Sequence, residues 1–587
     1  MKKKISFLCI ITLLCSLTFH ACKIPDTTTP STPLQSSDET ASLPSFDDYI
    51  NTLFKDLIKS DTLTLHFMLE HPESYGITDY PISLGDCSVE CMEENQAKQT
   101  ELLNTLHRYS YDSLSQEQKL TYDVLDDSMK QQQKLDAMPL YQEVLNPLTG
   151  TQAQLPVLLA EYKFRSEQDI KDYLALLEQI DHLFDSILDF EQQKSKAGLF
   201  MADFAANDVL EQCQEFTSDP QNNYLIHTFE DRLAQVQGLD EARIAAYKEQ
   251  NKKLVLDTVI PAYQALVRGL TNLLGSGKNE GGLCKLKDGR SYYELLVASA
   301  TGSNASIHIL ERMTEKQRRN DLGAMQELLK KNHSLSSADG STALSFSTPD
   351  DMLRHLKEKV TASFPASDIE AFEIKYVDPS LEDYLSPAFY LTAPLDNPNE
   401  NAIYINRASK YSGLKLFTTL AHEGYPGHMY QTNVTQSAGL PLIRSLLSYP
   451  GYTEGWATYV EMLSYGYADL PPAEASILQK NQSLLLSLYA TCDMKIHYDG
   501  WELADVSSFF ETYGITDSDS IAEIYHLIIE TPANYLKYYI GYLEFLSLKA
   551  DYKKACGDAY SDQDFHQKVL TLGEAPFPIL KKYMINN

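Results

Sequence analysis

Tryptophan is nearly missing from this chain of 587 residues, with 2 against 37 tyrosines. Basic residues are also scarce: 49 Lys and Arg face 81 Asp and Glu, a formal net charge of −32. A polyphosphate partner needs a basic footprint, so this balance excludes nucleic acid. Otherwise such a charge speaks to solubility, not fold. Beyond the N-terminal segment no run of 18 apolar residues occurs, so no later membrane-spanning helix is expected. No repeat of fixed period is present. What is there is ordinary: 43% hydrophobic residues exclude wholesale disorder. The length suits several domains or one large helical one.

The N-terminus reads as a processing signal. Lys2, Lys3 and Lys4 precede an uncharged apolar stretch from Ile5 to Phe19. That is too short for a span of about 20 residues and fits a signal h-region. Phe19-His20-Ala21-Cys22 follows, a small residue directly before Cys, which resembles a bacterial lipobox. Residues 1–21 are then a lipoprotein signal peptide. Cys22 is the lipidation site and anchors an exported protein to the cell membrane, facing outside the cytoplasm. Residues 22–44 are rich in Thr, Ser and Pro and read as a flexible tether.

The cysteines sort accordingly. Cys9 and Cys15 leave with the signal, and Cys87, Cys91, Cys213, Cys284, Cys492 and Cys556 remain in the body. Export permits disulfides. No second Cys/His pair stands near Cys87 and Cys91 at ligand spacing, so buried thiols or one local disulfide are expected there, not a zinc knuckle.

Helical periodicity dominates 45–364, as in Ile170–Leu188 and Val255–Leu274, with a Gly- and Lys-rich loop at Gly275–Gly289. The pattern changes between 365 and 407. Phe372–Val377, Ala388–Thr392 and Ala402–Asn406 are short β-rich runs between Pro- and Asn-rich turns, a small sheet near 370–407. Helical periodicity resumes at Leu414. The expected fold is mainly α, with 365–587 as the catalytic region packed against 45–364 in one large domain.

The apolar stripe Leu414, Phe417, Leu420, Ala421 leads into His422-Glu423-Gly424-Tyr425-Pro426-Gly427-His428. This is a stretched form of H-E-x-x-H, in which two His at i and i+4 bind zinc and the Glu is the general base. Here the second His is at i+6, rotated about 240° from the first on a regular helix. Pro426 offers no N–H, and Gly427 tolerates unusual dihedrals, so the helix can break or bulge and bring His428 back. The plain alternative is a helix end at His422 that binds nothing. Downstream, Glu454 and Glu461 stand seven apart on one helix face beside Trp456, Val460 and Leu463. Inward carboxylates are costly unless paired or metal-bound. Two His and one Glu with an open fourth position form a catalytic zinc set.

The run AHEGYPGHMYQ followed by EGWATYVEML resembles a bacterial family known as domain of unknown function 885, which is similar to the glutamate-zincin metallopeptidases. Leu65–Ile77 and Pro532–Leu543 resemble its N- and C-terminal signatures. The resemblance implies a large helical zincin-like metallopeptidase domain. His422, His428 and Glu454 would be Zn²⁺ ligands and Glu423 the base. Asp493-Met494-Lys495-Ile496-His497 resembles the family's D-x-G-x-H, with Asp493 placed to orient His497. Lys495 replaces the usual Gly, and Tyr489 stands near the position of a usual Arg, which puts that Arg's role in binding a substrate carboxylate in doubt. Tyr538 matches the family's Tyr, while Tyr539 stands where Lys is common. Tyr538 or His497 would stabilise the oxyanion, with Glu461, Asp493 and Tyr539 supporting ligands or substrate. The strand Ala402–Asn406 would pair with an extended peptide.

The function expected is a zinc-dependent peptidase hydrolysing short peptides at the cell surface. Two other readings stay open. One is a lipid-anchored peptide- or sugar-binding protein with a degenerate metal site. The other is a metal-dependent amidase acting on cell-wall peptides.

Overall fold

The computed structural model describes residues 43–585 apart from 334, 336–343, 347, 368, 370, 378, 380, 381, 383 and 384. The signal segment, Cys22 and the tether through residue 42 lie outside the described residues.

The chain is mainly helical, with one small sheet. Helices run from Phe46–Ile58 to Phe577–Ile585, many opened by Ser or Asp side chains that accept the third backbone N–H. The stretch Ile170–Leu188 is not one helix. It breaks between Glu167–Leu177 and Ile180–Ala197. Buried residues stand on both sides of the break, Ile170, Tyr173, Leu174 and Leu177 before it and Ile180, Leu183, Phe184 and Ile187 after it. Within Val255–Leu274 the chain makes a wide turn at Val255–Val259 before the helix Ile260–Thr271. Pro261 follows directly and has no N–H to close a regular turn. Part of the Gly275–Gly289 loop is a short helical turn, Leu283–Lys285.

The three β-rich runs form β1 (Glu373–Tyr376), β2 (Ala388–Leu391) and β3 (Ala402–Ile405). Their order is β1-β3-β2, with β1 parallel and β2 antiparallel to β3. The strand expected to receive a peptide, Ala402–Asn406, is therefore central. Both its edges are taken, and β2 is an edge strand instead. All four residues of β2 and of β3 are buried, as alternation alone does not foretell for a covered sheet.

One apolar core runs from Phe46 to Met584 and joins helices before residue 364 to those after it. A second underlies residues 63–274 and reaches β2 and β3 through Phe389, Leu391 and Tyr404. The helices Pro450–Ser464 and Asn534–Cys556 touch backbone to backbone. A Cβ on Gly455 would lie 2.5 Å from the Gly541 carbonyl carbon. This close approach brings the two helices' functional side chains together. Among the described residues no helix is long and apolar enough to cross a membrane.

Candidate metal centre

The helix Gly413–Glu423 buries Leu414, Phe417, Leu420 and Ala421 and ends on His422 and Glu423. The chain then turns through Gly424, Tyr425 and a cis Pro426 to Gly427, and the next helix, His428–Ser437, begins at the second histidine. The i+6 spacing is thus resolved by a full break. The turn is too tight for a side chain at Gly427, whose Cβ would sit 1.7 Å from the His422 carbonyl oxygen. Trp456 Nε1 donates to the Pro426 carbonyl at 2.9 Å, so the helix bearing Glu454 and Glu461 holds the turn in place.

The break brings three side chains to one point. Nε2 of His422 and Nε2 of His428 each lie 3.4 Å from the same oxygen, Glu454 Oε2. Ligand atoms of His422, Glu423 and His428 lie within 4.8 Å of one another. All four residues are buried. His422 Nε2 and both nitrogens of His428 make no hydrogen bond, although buried polar atoms ordinarily do. Around a tetrahedral ion with bonds of about 2.0–2.1 Å, ligand atoms stand about 3.3–3.4 Å apart. The spacing and the orphaned imidazole nitrogens both fit zinc. His422 Nδ1 pairs with Glu461 Oε2 at 3.2 Å, and Gln482 Nε2 donates to Glu461 Oε1 at 3.4 Å. A carboxylate on the far nitrogen is the usual way of fixing a ligand imidazole.

Glu423 differs from Glu454. Its Oε2 accepts the Tyr390 backbone N–H of β2 at 2.9 Å, while Oε1 is buried without a partner. Burial pushes its carboxyl up to about 8, with Glu454 adding to the rise. Glu454 goes the other way. Burial would raise it, but His422, His428 and Lys537 outweigh that and hold it well below the carboxylate range. Burial would depress His422, yet the carboxylates Glu454, Glu461 and Glu423 bring it up to about 10; burial leaves His428 below its ordinary value.

Tyr538 joins the cluster. Its ring centroid is 6.3 Å from that of His422. Lys537, which no pattern in the sequence singled out, lies 3.9 Å from Glu454 Oε1 and 5.1 Å from the Tyr538 ring. Tyr539 points elsewhere, with its hydroxyl 3.5 Å from Ser483 Oγ, which donates to Asp321.

His497 is fully engaged. Nδ1 accepts the Leu283 N–H at 3.1 Å, Nε2 donates to the Ile528 carbonyl at 2.8 Å, and burial pushes it down to about 4. It is a neutral pin between three segments and not an oxyanion donor. Asp493 does not orient it. Asp493 Oδ1 accepts from Tyr293 Oη at 2.5 Å and from the Ala533 N–H at 3.1 Å. Tyr293 in turn stacks on His497 at 5.3 Å. The i, i+4 pair meets through Tyr293 and fixes the start of the Tyr538 helix, where Ala533 has φ +64°.

A cavity of about 580 Å³ opens beside the centre and reaches it at His428 and Tyr390. Its walls come from both halves of the chain, with Leu63, Cys87 and Leu155 on one side and Gln431, Arg444 and Tyr452 on the other. The six body cysteines are thiols, with no disulfide among the described residues. Two features escaped the sequence. The Tyr390 N–H is backbone, and no side-chain pattern shows it. Gln431 and Arg444 stand in plain polar positions whose burial the sequence does not reveal.

A family model described as a bacterial protein of unknown function, DUF885, matches residues 72–584. The chain belongs to this family. The DUF885 match covers every residue of the centre and the cavity lining from Leu84 onward. A solved structure described as a putative lipoprotein from Colwellia psychrerythraea has the same fold, with a TM-score of 0.81 at 19% identity over 92% of this chain and 99% of that one. Another, described as a putative lipoprotein of unknown function from Shewanella oneidensis, gives 0.66 at 16% identity over 92% and 100%. No curated protein matches the chain.

Proposed function

We propose that this DUF885 protein is a zinc-dependent peptidase that hydrolyses short peptides, with His422, His428 and Glu454 as the ligands. The observation that carries the reading is the pair of Nε2 atoms, each 3.4 Å from Glu454 Oε2 and neither hydrogen-bonded. A zinc ion held by these three side chains would supply a Lewis acid that lowers the pKa of a water to about 7.

The chain's own groups do the rest. Glu423 Oε1 is the carboxylate oxygen without a partner beside the ligands, placed to take a proton from water and return it to the leaving amine. The Tyr390 N–H holds its other oxygen, so the base faces one way. Tyr538 donates to the oxygen that gains charge. Tyr390 of the edge strand β2 lines the cavity, and an extended peptide lying there would run beside that strand. A cavity of about 580 Å³ suits short peptides over folded proteins.

The lipobox-like segment ending in Cys22, together with two fold relatives described as lipoproteins, supports a lipid-anchored protein outside the cytoplasm. Metal content and peptide-library cleavage, measured for wild type, His422→Ala and Glu423→Gln, test the proposal. About one zinc per chain with cleavage in wild type, zinc without cleavage in Glu423→Gln, and neither in His422→Ala is the expected result. Equal zinc and equal cleavage in all three would overturn it.

A further inference from the structure

One wall of the cavity carries chemistry that hydrolysis itself does not need. His428, Gln431, Thr432, Thr435 and Gln436 all line it from the helix His428–Ser437. These are positions i, i+3, i+4, i+7 and i+8, one helix face, which in a covered helix is normally apolar. Here it is polar from end to end. Gln431 is 4% exposed, and its Nε2 makes no hydrogen bond.

Arg444 lines the same cavity and is likewise 4% exposed. Its Nη2 donates to the carbonyls of Leu572 at 2.9 Å and Glu574 at 2.6 Å. Nε and Nη1 are buried without partners. Buried donors on a cation cost stability when unmet, so their retention points to a bound acceptor. Glu574 lines the same cavity, and its Oε2 accepts the Tyr449 N–H at 3.0 Å.

The guanidinium sits at the far end of the polar face from His428. A Cβ on Gly573 would lie 3.3 Å from Thr435 Cγ2 and 3.6 Å from Arg444 Nη2, so both border one corner. Seven helical residues separate Thr435 from His428, about 10 Å of rise. About three extended peptide residues cover that distance. Tyr390 and Thr392, at the β2 edge, line the cavity as well.

We infer that Arg444 is a specificity residue that binds the C-terminal carboxylate of a short peptide whose last two or three residues lie along this helix face. The guanidinium suits a planar carboxylate, and Gln431 is placed for a peptide amide. The peptide as substrate rests on the peptidase reading, whereas the carboxylate preference rests on Arg444 alone.

The test is calorimetric titration of the full chain, freed of metal by chelation, with trialanine as free acid and as C-terminal amide. The acid should bind about ten- to a hundred-fold more tightly, the span of hydrogen bonds to a charged group. Arg444→Gln, shown folded by circular dichroism, should erase the difference. Arg444→Lys serves if the Gln variant does not fold, and should shrink the preference at least threefold. An acid that binds no tighter than the amide in wild type, including no binding of either, overturns the inference. So does a preference unchanged in the folded variant. Acid preference without cleavage by the zinc-loaded protein sinks the peptidase reading alone. Cleavage of acid and amide at equal kcat/KM sinks this inference alone.

Discussion

Glu461 Oε2 lies 3.2 Å from Nδ1 of His422, the ring nitrogen that Glu454 does not approach. This contact holds the ring so that Nε2 faces the centre. Replacing Glu461 with Gln removes the charge but keeps the shape. Zinc affinity, read by competition with a chelating dye, should fall about ten- to a hundred-fold. An unchanged affinity would show that the contact is packing only.

Tyr538→Phe separates chemistry from binding. The ring stays beside His422, but the donor is gone. Zinc content should be unchanged, and kcat should drop about 10²–10³-fold with little change in KM. A change confined to KM would assign Tyr538 to substrate binding.

Gly427→Ala tests the turn. Its Cβ would lie 1.7 Å from the His422 carbonyl oxygen, which forces the two histidines apart. Thermal stability should fall by more than about 2 kcal/mol, with loss of zinc. Gly466→Ala is the control, since nothing lies within 4 Å of a Cβ there. Equal melting temperatures for the two variants would rule out the proposed steric role.

Asp493 gives a pH prediction. Burial pushes its carboxyl up to about 7, against the bonds from Tyr293 and Ala533. A folded-state value above the unfolded one favours the protonated form in the fold. That contribution is fully present below the unfolded value and is lost as pH rises through about 7. Asp493→Asn, which keeps an acceptor oxygen, should therefore gain on wild type between pH 4 and 7 and then level off. The gain is about 1.4 kcal/mol per unit of pH in that window. Melting curves of both proteins from pH 4.5 to 8 read it, and a pH-independent difference would exclude the shift.

The helices around the centre and the three strands were legible because periodicity and Pro-Gly punctuation are local. The convergence of His422, His428 and Glu454 was legible because their residue types, spacing and the Pro-Gly break are local features of the sequence. The strand order was not, since which strand lies at an edge depends on partners distant in the chain. His497 was misread for the same reason. Its motif is local, but its two hydrogen bonds come from Leu283 and Ile528. Arg444 was invisible as a site residue because burial of a single arginine leaves no mark in sequence.

The thiols of the body carry a practical consequence. Burial pushes Cys87 and Cys213 up to about 12 and raises Cys492 as well, so little nucleophilic thiolate forms at neutral pH. Among the described residues the fold holds no cross-link. Chain lacking residues 1–22 can be made in a reducing cytosol and handled in reductant, which keeps zinc assays free of disulfide exchange.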